Sequence, residues 1–528
     1  MASPLLNKAK SNPTRIGPRQ SKYNCFSRCI RHVDLHGVIQ LHQQEIQVSL
    51  KKTATRGAKW TALSSVVVTA AMFLQLTVLS RLLIPSDFGL MATVLVVIGI
   101  AQIFADMGIS AAIIHFQETD EDQLSSLYWL NIFSGMSVFA IVVCSAPLVA
   151  YIYGEPRLIP IILSLSVTFL VAPFGLQFQL LLQKTLDFKV LAIAEITSAL
   201  FGAALAIPAA LSGWGVFSLV VGQIGTAAIK TAILVAAGWP RWAPSCRFRL
   251  DDIRRFVRFG LYQLGDRLGN VIYSRTDLII IGLILGQNTL GYYAFAWNLI
   301  LQPVTRINPI LTRVAFPLFA QIQSETLRLR RGYFSLLRLL TLINAPLLVG
   351  CAAVAAVATP TLFGDKWIPA ISSIQILAFV GLIRAVLNPV GSLLLAKGRA
   401  DVSFKFTIGV MFAQIPAVYL GAHFAGIMGA AATVAGMHIL YLIAAYIFLL
   451  KPILGPSFKD YLSALIPPAG LAFVAAVPVI LLPHVLDIAP SPLLLLQIFL
   501  GAGMYCGLIG LFLRNDLPEL YRFVLLRG

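Results

Sequence analysis

Long apolar runs recur along this chain from Gly57 to Leu513. Each run covers the roughly 20 residues that a helix needs to cross the hydrocarbon core of a bilayer. The composition agrees, because 58% of the 528 residues are hydrophobic and only 12% are charged, about half the charged fraction of a typical soluble protein. The sequence therefore predicts an all-α polytopic membrane protein.

Polar residues and Pro/Gly clusters divide the apolar sequence into about fourteen candidate membrane helices. If the N-terminus is cytoplasmic, 31 of the 40 Lys and Arg residues fall on the cytoplasmic side, 3 on the opposite side and 6 inside the helices. Positive charge accumulates on the cytoplasmic side of membrane proteins, so both termini are predicted to be cytoplasmic. The formal net charge of +18 then belongs to this rim, and no nucleic-acid partner is expected.

Four stretches of the chain recur in the same order after 202 to 213 residues. The pairs are SRLLIPSDFGLMA (80–92) with IGLILGQNTLGYYA (281–294), YGEPRLIP (153–160) with FGDKWIPA (363–370), LLLQKTLD (180–187) with LLLAKGRAD (393–401), and WGVFSLV (214–220) with AGIMGAA (425–431). Matched landmarks in one order predict a duplicated six-helix unit. This organisation is typical of transporters whose two halves move around a central site.

The landmarks and charges divide the chain into five predicted parts. They are a basic, disordered cytoplasmic tail (1–52), an N-terminal six-helix lobe (53–240), a basic linker (241–259), a C-terminal six-helix lobe (260–450), and two further helices with a short tail (451–528). A start of the native chain at Val48 is an alternative hypothesis. The tail also carries zinc-compatible ligands, Cys25, Cys29, His32 and His36. Their spacing is not that of a zinc finger, so no metal site is expected, and the scattered cysteines indicate no disulfide framework.

Several stretches resemble the bacterial oligosaccharide flippase family, within the multidrug/oligosaccharidyl-lipid/polysaccharide exporter superfamily. The similarity covers about residues 49 to 450 and is closest to the colanic-acid-exporter type. The stretches are SLKKTATRGAKWTALSSV, SRLLIPSDFGLMA, YGEPRLIP, RTDLIIIGLILGQNTLGYYAFAWNL, NPILTRVAFPLFAQIQ and FGDKWIPA. The resemblance implies two homologous six-helix bundles around a central cavity, with two C-terminal helices. It also implies movement of undecaprenyl-pyrophosphate-linked oligosaccharides across the inner membrane.

Polar side chains follow one face of the predicted helix 260–285. Gln263, Asp266, Asn270, Tyr273 and Asp277 fall within about 80° at 100° per residue. A polar face opposite an apolar one predicts a helix that lines a wet cavity. Arg275 does not fit this pattern, because it lies roughly 160° from Asp277.

Arginine stays ionised when buried, and its planar guanidinium binds phosphate oxygens in pairs. We therefore predict that the pyrophosphate-bearing substrate binds to Arg267, Asn270, Arg306, Arg313 and Arg384. Asn298 and Gln302 are further candidates for contacts with sugars. Asp106 and Asp277 are candidates for ion coupling, because burial can raise the pKa of a carboxyl group into the working range. Salt bridges that only hold the bundles together are the alternative for each group. Lys230 and Glu195 are predicted to lie near the cytoplasmic membrane interface.

Other functions fit the sequence less well. A cation-coupled drug exporter of the same superfamily is the main alternative, but arginines outnumber acidic residues inside the predicted helices. A polymerase or ligase acting on lipid-linked glycans would carry a large external loop, and a channel or scaffold does not need the duplication. An ATP-driven pump would need a G-x-x-x-x-G-K-[ST] motif, which does not occur. We therefore expect a transporter of the bacterial inner membrane, not an enzyme, without cofactor or metal. Its expected partners are a lipid-linked oligosaccharide and membrane lipid, with a polysaccharide polymerase and a chain-length regulator as candidate protein partners.

Overall fold

The computed structural model of the protein describes residues 35–110, 113 and 120–514. Residues 1–57 and 58–528 form two separate units, and every contact described below lies within the second unit. Cys25, Cys29 and His32 lie outside the described residues, as does the side chain of His36. The side chains of Asp266 and Arg313, inside a described helix, also lie outside the description.

The described residues form helices and no β-strand. In chain order the helices are α1 (Leu35–Leu82), α2 (Pro85–Asp106), α3 (Glu121–Tyr153), α4 (Leu158–Ser166), α5 (Thr168–Lys184), α6 (Phe188–Leu211), α7 (Val216–Gly238), α8 (Leu250–Gln321), α9 (Thr326–Ala358), α10 (Ile371–Ala396), α11 (Ala400–Ala445), α12 (Phe458–Val485) and α13 (Pro490–Phe512). A π-helical turn, Thr359–Phe363, follows α9. Twelve helical segments in the described residues are long and apolar enough to cross a membrane, with α4 and α5 counted together as one. The protein is therefore an all-α, multi-pass membrane protein.

The 72 residues of α8 do not form one straight rod, because the backbone leaves the helical conformation at Gly286 (φ 78°). Tyr293 Oη donates to Asp277 Oδ2 at 2.8 Å, and the Arg275 guanidinium lies 4.2 Å from the Trp297 ring centroid. At 1.5 Å per residue, residues 275 and 297 of a straight helix would lie about 33 Å apart. The chain therefore folds back at Gly286 into two antiparallel segments.

The same feature recurs in α11, where the helix is interrupted at Ala425 and Gly426. The Phe406 and Tyr441 rings stack with centroids 5.1 Å apart, although they lie on opposite sides of the interruption. α11 therefore also folds back on itself. Counting each hairpin as two crossings gives the predicted total of fourteen, and this total stays a prediction.

Paired backbone conformations mark the internal duplication. Gly215 before α7 has φ 54° and ψ −132°, and Gly426 in α11 has φ 58° and ψ −144°. Gly154 and Gly364, in the second pair of landmarks, also have positive φ. Matching conformations at matching landmarks are what two homologous six-helix bundles produce. The boundaries drawn for the five parts of the chain stay predictions.

The two bundles meet where α2 crosses α8. A Cβ atom at Gly89 would lie 1.9 Å from the carbonyl oxygen of Gln287, and a Cβ at Gly291 would lie 1.8 Å from that of Pro85. Next to them, Thr93 Oγ1 donates to Gln287 Oε1 at 3.0 Å. Only glycine allows main chains to approach this closely. We refer to this contact, made by Gly89 and Gly291, as the glycine seal.

A second contact, the latch, consists of Arg81, Lys366 and Trp367. Lys366 Nζ donates to the carbonyls of Arg81 and Leu83 at 2.9 and 2.6 Å, and Trp367 Nε1 donates to a carbonyl of α1 at 2.9 Å. In the opposite direction, Arg81 Nε donates to the carbonyl of Leu362 at 2.8 Å. The last carbonyls of a helix have no partner within the helix. Each bundle therefore supplies donors to a helix end of the other.

Candidate functional site

Two polar cavities lie among the described helices. The larger, of about 980 Å³, is enclosed mainly by α2, α3, α5 and α7 of the first bundle. We call it the amide cavity because carboxamides dominate its polar lining. These amides are Gln102, Asn131, Gln179, Gln183 and Gln223. Its charged lining residues are Asp106, Lys230 and Arg267. Asp106 lies at the end of α2 remote from the glycine seal, so the cavity lies beyond the point where the bundles touch.

Two of the charged lining residues form an ion pair between the bundles. Arg267 Nη1 on α8 donates to Asp106 Oδ2, and Ser110 donates to Asp106 Oδ1. The Asp106 side chain is 14% exposed and that of Arg267 is 39% exposed. A guanidinium has five N–H donors, and more than a third of the Arg267 side chain is exposed. Arg267 can therefore bind a second anion while it holds Asp106.

A smaller polar cavity, of about 300 Å³, lies between the first bundle and the second segment of α8. Asn298, Gln302 and Arg306 line it, on one face of the helix at spacings of four. Gln223 and Thr226 of α7 line both polar cavities, so the two adjoin. Within the part of the chain that the structure describes, the buried Nε of Arg306 has no hydrogen-bond partner. This donor is available to a ligand.

Lys230 lies on the wall of the amide cavity, although its position near a helix end predicted an interfacial side chain. α7 presents Gln223, Thr226 and Lys230 to the cavity at i, i+3 and i+7, which is one helix face. The charges of Glu195 and Arg306 both act on Lys230. The place of Lys230 in the cavity could not be predicted from the sequence, because depth along a helix does not reveal which way a side chain points.

Asp277 lies inside the second bundle and is 1% exposed. It accepts hydrogen bonds from Tyr293 Oη at 2.8 Å and from the Leu278 amide at 2.9 Å. Tyr273, one turn earlier, packs against His438 and Tyr441 with ring centroids 6.5 and 6.2 Å away. The predicted cavity-lining face is therefore wrong for Tyr273 and Asp277, which face the bundle interior. Tyr293 and the Leu278 amide, both on α8, supply the hydrogen bonds of Asp277, and α11 supplies the rings that pack against Tyr273.

Arg384 belongs to the same buried cluster. Its Nε donates to His438 Nε2 at 3.0 Å, and His438 Nδ1 lies 2.8 Å from the carbonyl of Val434. Because Nε2 accepts, the ring proton is on Nδ1 and the imidazole is neutral. Arg384 is absent from the linings of both polar cavities, and so is the exposed Asn270. A single histidine in an apolar helix gave no sequence signal for this contact.

Arg275, which the polar-face pattern did not explain, stacks on Trp297. A desolvated arginine over an indole ring is stabilised by about 2 kcal/mol.

Of the predicted arginine ligands, Arg267 and Arg306 line the cavities, Arg384 lies elsewhere, and the Arg313 side chain is outside the described residues. Among the described residues, no group of three or more His, Cys, Asp or Glu side chains could hold a metal ion.

An apolar cleft of about 490 Å³ lies against α9. It shares the lining residues Phe73 and Leu299 with the smaller polar cavity. Phe73, Ile343, Leu347 and Val479 are among the residues that line it, and α12 and α13 form its far wall. Tyr505 Oη donates to the carbonyl of Leu342 at 3.1 Å, which ties α13 to α9. The two C-terminal helices thus build a surface suited to a hydrocarbon chain.

The sequence is similar to that of known proteins over most of its length. Residues 78–372 match the polysaccharide biosynthesis protein family. The lipopolysaccharide biosynthesis protein WzxC of Escherichia coli (strain K12) is 34% identical over 441 residues, which are 84% of this chain and 89% of that protein. The teichuronic acid biosynthesis protein TuaB of Bacillus subtilis (strain 168) is 36% identical over 363 residues, 69% of this chain and 75% of that protein.

The fold is also similar to a solved structure, that of the lipid II flippase MurJ in an inward closed conformation. The TM-score is 0.69 at 12% sequence identity, and the match covers 88% of this chain and 100% of that chain. At this identity the similarity concerns the fold. The sequence matches extend over both six-helix bundles, and with them this chain belongs to the polysaccharide biosynthesis protein family.

Proposed function

We propose that this protein moves lipid-linked oligosaccharide repeat units across the bacterial inner membrane for exopolysaccharide, O-antigen or capsule assembly. Its relatives are named for lipopolysaccharide and teichuronic acid biosynthesis, and the protein of similar fold is a lipid II flippase. The observation that carries the proposal is a pair of adjoining polar cavities within the membrane helices, lined by amides and by Lys230, Arg267 and Arg306.

These groups suit an undecaprenyl-pyrophosphate headgroup. A diphosphate that leaves water needs hydrogen-bonded cations, since burying an unpaired anion is very costly. Arg306 offers an unpartnered Nε, Lys230 brings a positive charge to the wall of the adjoining cavity, and Arg267 has donors beyond those used by Asp106. The apolar cleft at α12 and α13 offers a place for part of the polyprenyl chain, the rest of which stays in lipid.

The glycine seal and the latch support transport by alternating access. With both termini in the cytoplasm, residues 80–92 and 363–370 lie on the periplasmic side, and the seal closes that side. The amide cavity at the far end of α2 then faces the cytoplasm, where the substrate is made. Movement of the two bundles opens the seal and releases the substrate unchanged, without a catalytic step. A polymerase and a chain-length regulator would receive it.

A carboxylate of the second bundle is the better candidate for coupling to a cation. Asp106 already binds Arg267 and Ser110. Asp277 accepts hydrogen bonds only from neutral donors among the described contacts, the Tyr293 hydroxyl and a backbone amide, and Arg275 acts on its charge without a hydrogen bond in the described contacts. We assign the coupling role to Asp277 for this reason. The Arg384 side chain, bonded to His438, holds the same cluster together.

The test is the Lys230→Gln/Arg306→Gln double variant in a strain that lacks the native gene. We expect surface polysaccharide to fall at least about tenfold, because the loss of two charge-assisted hydrogen bonds corresponds to at least that factor. Arg328→Gln is the matched control, since Arg328 is 71% exposed and pairs with Glu325 away from both cavities. Immunoblots of membranes must show equal amounts of each protein. Normal export by the inserted double variant would contradict the proposal.

A further inference from the structure

Asn131 on α3 lies on the wall of the amide cavity and is 1% exposed. Among the residues that the structure describes, neither its Nδ2 nor its Oδ1 has a hydrogen-bond partner. Most buried polar groups in native proteins are hydrogen-bonded, and an unpartnered carboxamide destabilises the fold. An amide kept at this cost in the wall of a cavity points to a partner that is not part of the chain.

The surrounding lining repeats the chemistry of Asn131. Gln179 and Gln183 lie one turn apart on α5, and Gln102 and Gln223 approach from α2 and α7. A carboxamide donates two hydrogen bonds and accepts two, which matches the hydroxyl groups of a sugar, each both a donor and an acceptor. Phe169 adds an aromatic surface to the same wall, suited to the apolar face of a sugar ring.

The charge of the lining narrows the class of ligand. Asp106, its one carboxylate among the described residues, is occupied by Arg267 and Ser110. Lys230, on whose charge Glu195 and Arg306 both act, lies beside neutral amides. This wall suits neutral or acidic sugars and opposes cationic ligands. Its volume of about 980 Å³ lies at the upper end of the roughly 300–1,000 Å³ typical of ligand pockets, so it has room for more than a headgroup.

We infer that the amide cavity is a glycan subsite, in which Asn131, Gln179 and Gln183 bind hydroxyl groups of the sugars nearest the diphosphate. Arg306 in the smaller, adjoining cavity binds the diphosphate itself. Lys230 lies near the junction and serves either part of the substrate. The inference rests on the proposed function and adds which part of the substrate occupies which cavity.

The experiment compares two probes on purified protein in nanodiscs. One is undecaprenyl diphosphate, and the other is undecaprenyl diphosphate carrying a single N-acetylglucosamine. We expect the wild type to bind the sugar-bearing probe about tenfold more tightly, since one or two net hydrogen bonds correspond to that factor. Asn131→Leu should reduce this preference several-fold and leave the affinity for the sugar-free probe unchanged. Gln179→Leu/Gln183→Leu, on a different helix, should have the same effect.

Gln414→Leu is the matched control. Gln414 on α11 is 0% exposed, and both its polar atoms lack partners among the described residues, but it does not line the amide cavity. The control should keep the full preference for the sugar. If Asn131→Leu does not yield folded protein, the double variant on α5 provides the test.

Three outcomes would overturn the subsite. The wild type could bind both probes equally, the variants could keep the preference, or they could lose affinity for both probes to the same extent. Binding of the sugar-free probe with no sugar preference would overturn the subsite alone and leave the proposed function standing. If the wild type binds neither probe, the proposed function fails as well. Arg306→Gln should weaken both probes, which separates the diphosphate site from the sugar site.

Discussion

Arginine residues inside the membrane helices have different roles here, and their partners distinguish them. Arg275 is stacked on Trp297, Arg267 pairs with Asp106, and Arg384 bonds to a neutral His438. Arg306 alone among these four combines a place in a cavity lining with a buried, unpartnered Nε. Arg275 and Arg384 hold helices together, whereas Arg267 and Arg306 remain able to bind an anion.

At Asp277 the carboxylate and its hydrogen bond can be separated by substitution. Tyr293→Phe removes one of the two donors to the buried Asp277 carboxylate, so we expect it to lower the free energy of unfolding by about 1.5–3 kcal/mol. Asp277→Asn keeps an acceptor for Tyr293, so we expect a smaller loss of stability. If Asp277 couples transport to a cation, however, this variant should no longer export in response to a sodium or proton gradient.

Thermal unfolding in detergent and gradient-driven transport in proteoliposomes measure the two effects. Gradient-dependent transport by Asp277→Asn at the wild-type rate would remove Asp277 from the coupling mechanism. A Tyr293→Phe protein as stable as the wild type would show that the hydrogen bond contributes little.

At the level of the helices, the latch joins two helix ends by hydrogen bonds. Each end donates side-chain hydrogen bonds to main-chain carbonyls of the other. Arg81 and Lys366 are both basic residues predicted to lie outside the cytoplasm, where such residues are few. Each donates hydrogen bonds to carbonyls at the end of the opposite helix, which have no partner within that helix. These bonds exist only while the bundles touch, so they favour the closed seal.

Lys366→Met should therefore shift the protein towards the state in which the seal is open. Thr93 is 2% exposed beside the seal, so a cysteine placed there in a cysteine-free background should react slowly with a membrane-impermeant maleimide. We expect Lys366→Met to raise its labelling rate several-fold, because two hydrogen bonds to a charged donor are lost.

Glu155→Gln is the control for the latch. Arg157 donates to both oxygens of Glu155 at 2.8 and 3.0 Å, and these bonds lower the pKa of the Glu155 carboxyl. This pair lies in the matching loop of the first bundle, and among the described residues it makes no bond to the second bundle. Loss of the Glu155–Arg157 pair should not change the rate at which a cysteine at position 93 is labelled. Equal labelling in Lys366→Met and the wild type would refute a role of the latch in closure.

At the level of the whole molecule, the duplication predicts that matched glycines are equally important. Gly215 and Gly426 share a backbone conformation with positive φ and strongly negative ψ, which side chains disfavour by roughly 1–3 kcal/mol. Gly215→Ala and Gly426→Ala should therefore lower stability by similar amounts. Gly436→Ala is the control, since a Cβ there meets no atom within 4 Å. A large loss at one glycine and none at the other, measured by thermal unfolding, would contradict the equivalence.

Much of the fold could be predicted from the sequence, because apolar length and repeated landmarks such as Gly154 and Gly364 are local properties of the chain. The site could be predicted only in part. Arg267 and Arg306 lie in the cavities, but Asp277 and Arg384 do not, since their orientation depends on how α8 packs against α10 and α11. Asn131 carried no signal, because its importance comes from the partners that it lacks.

The glycine seal has a consequence for the cell's energy supply. A gate made of side chains can flicker open when a rotamer flips, within picoseconds to nanoseconds. Gly89 and Gly291 have no side chain to flip, and the main chains that they bring together separate only when whole bundles move, on microsecond to millisecond timescales. Under the proposed alternating access, proton and sodium leakage past the seal is then limited to these slow movements. Many copies of the protein can lie in one membrane without discharging its potential.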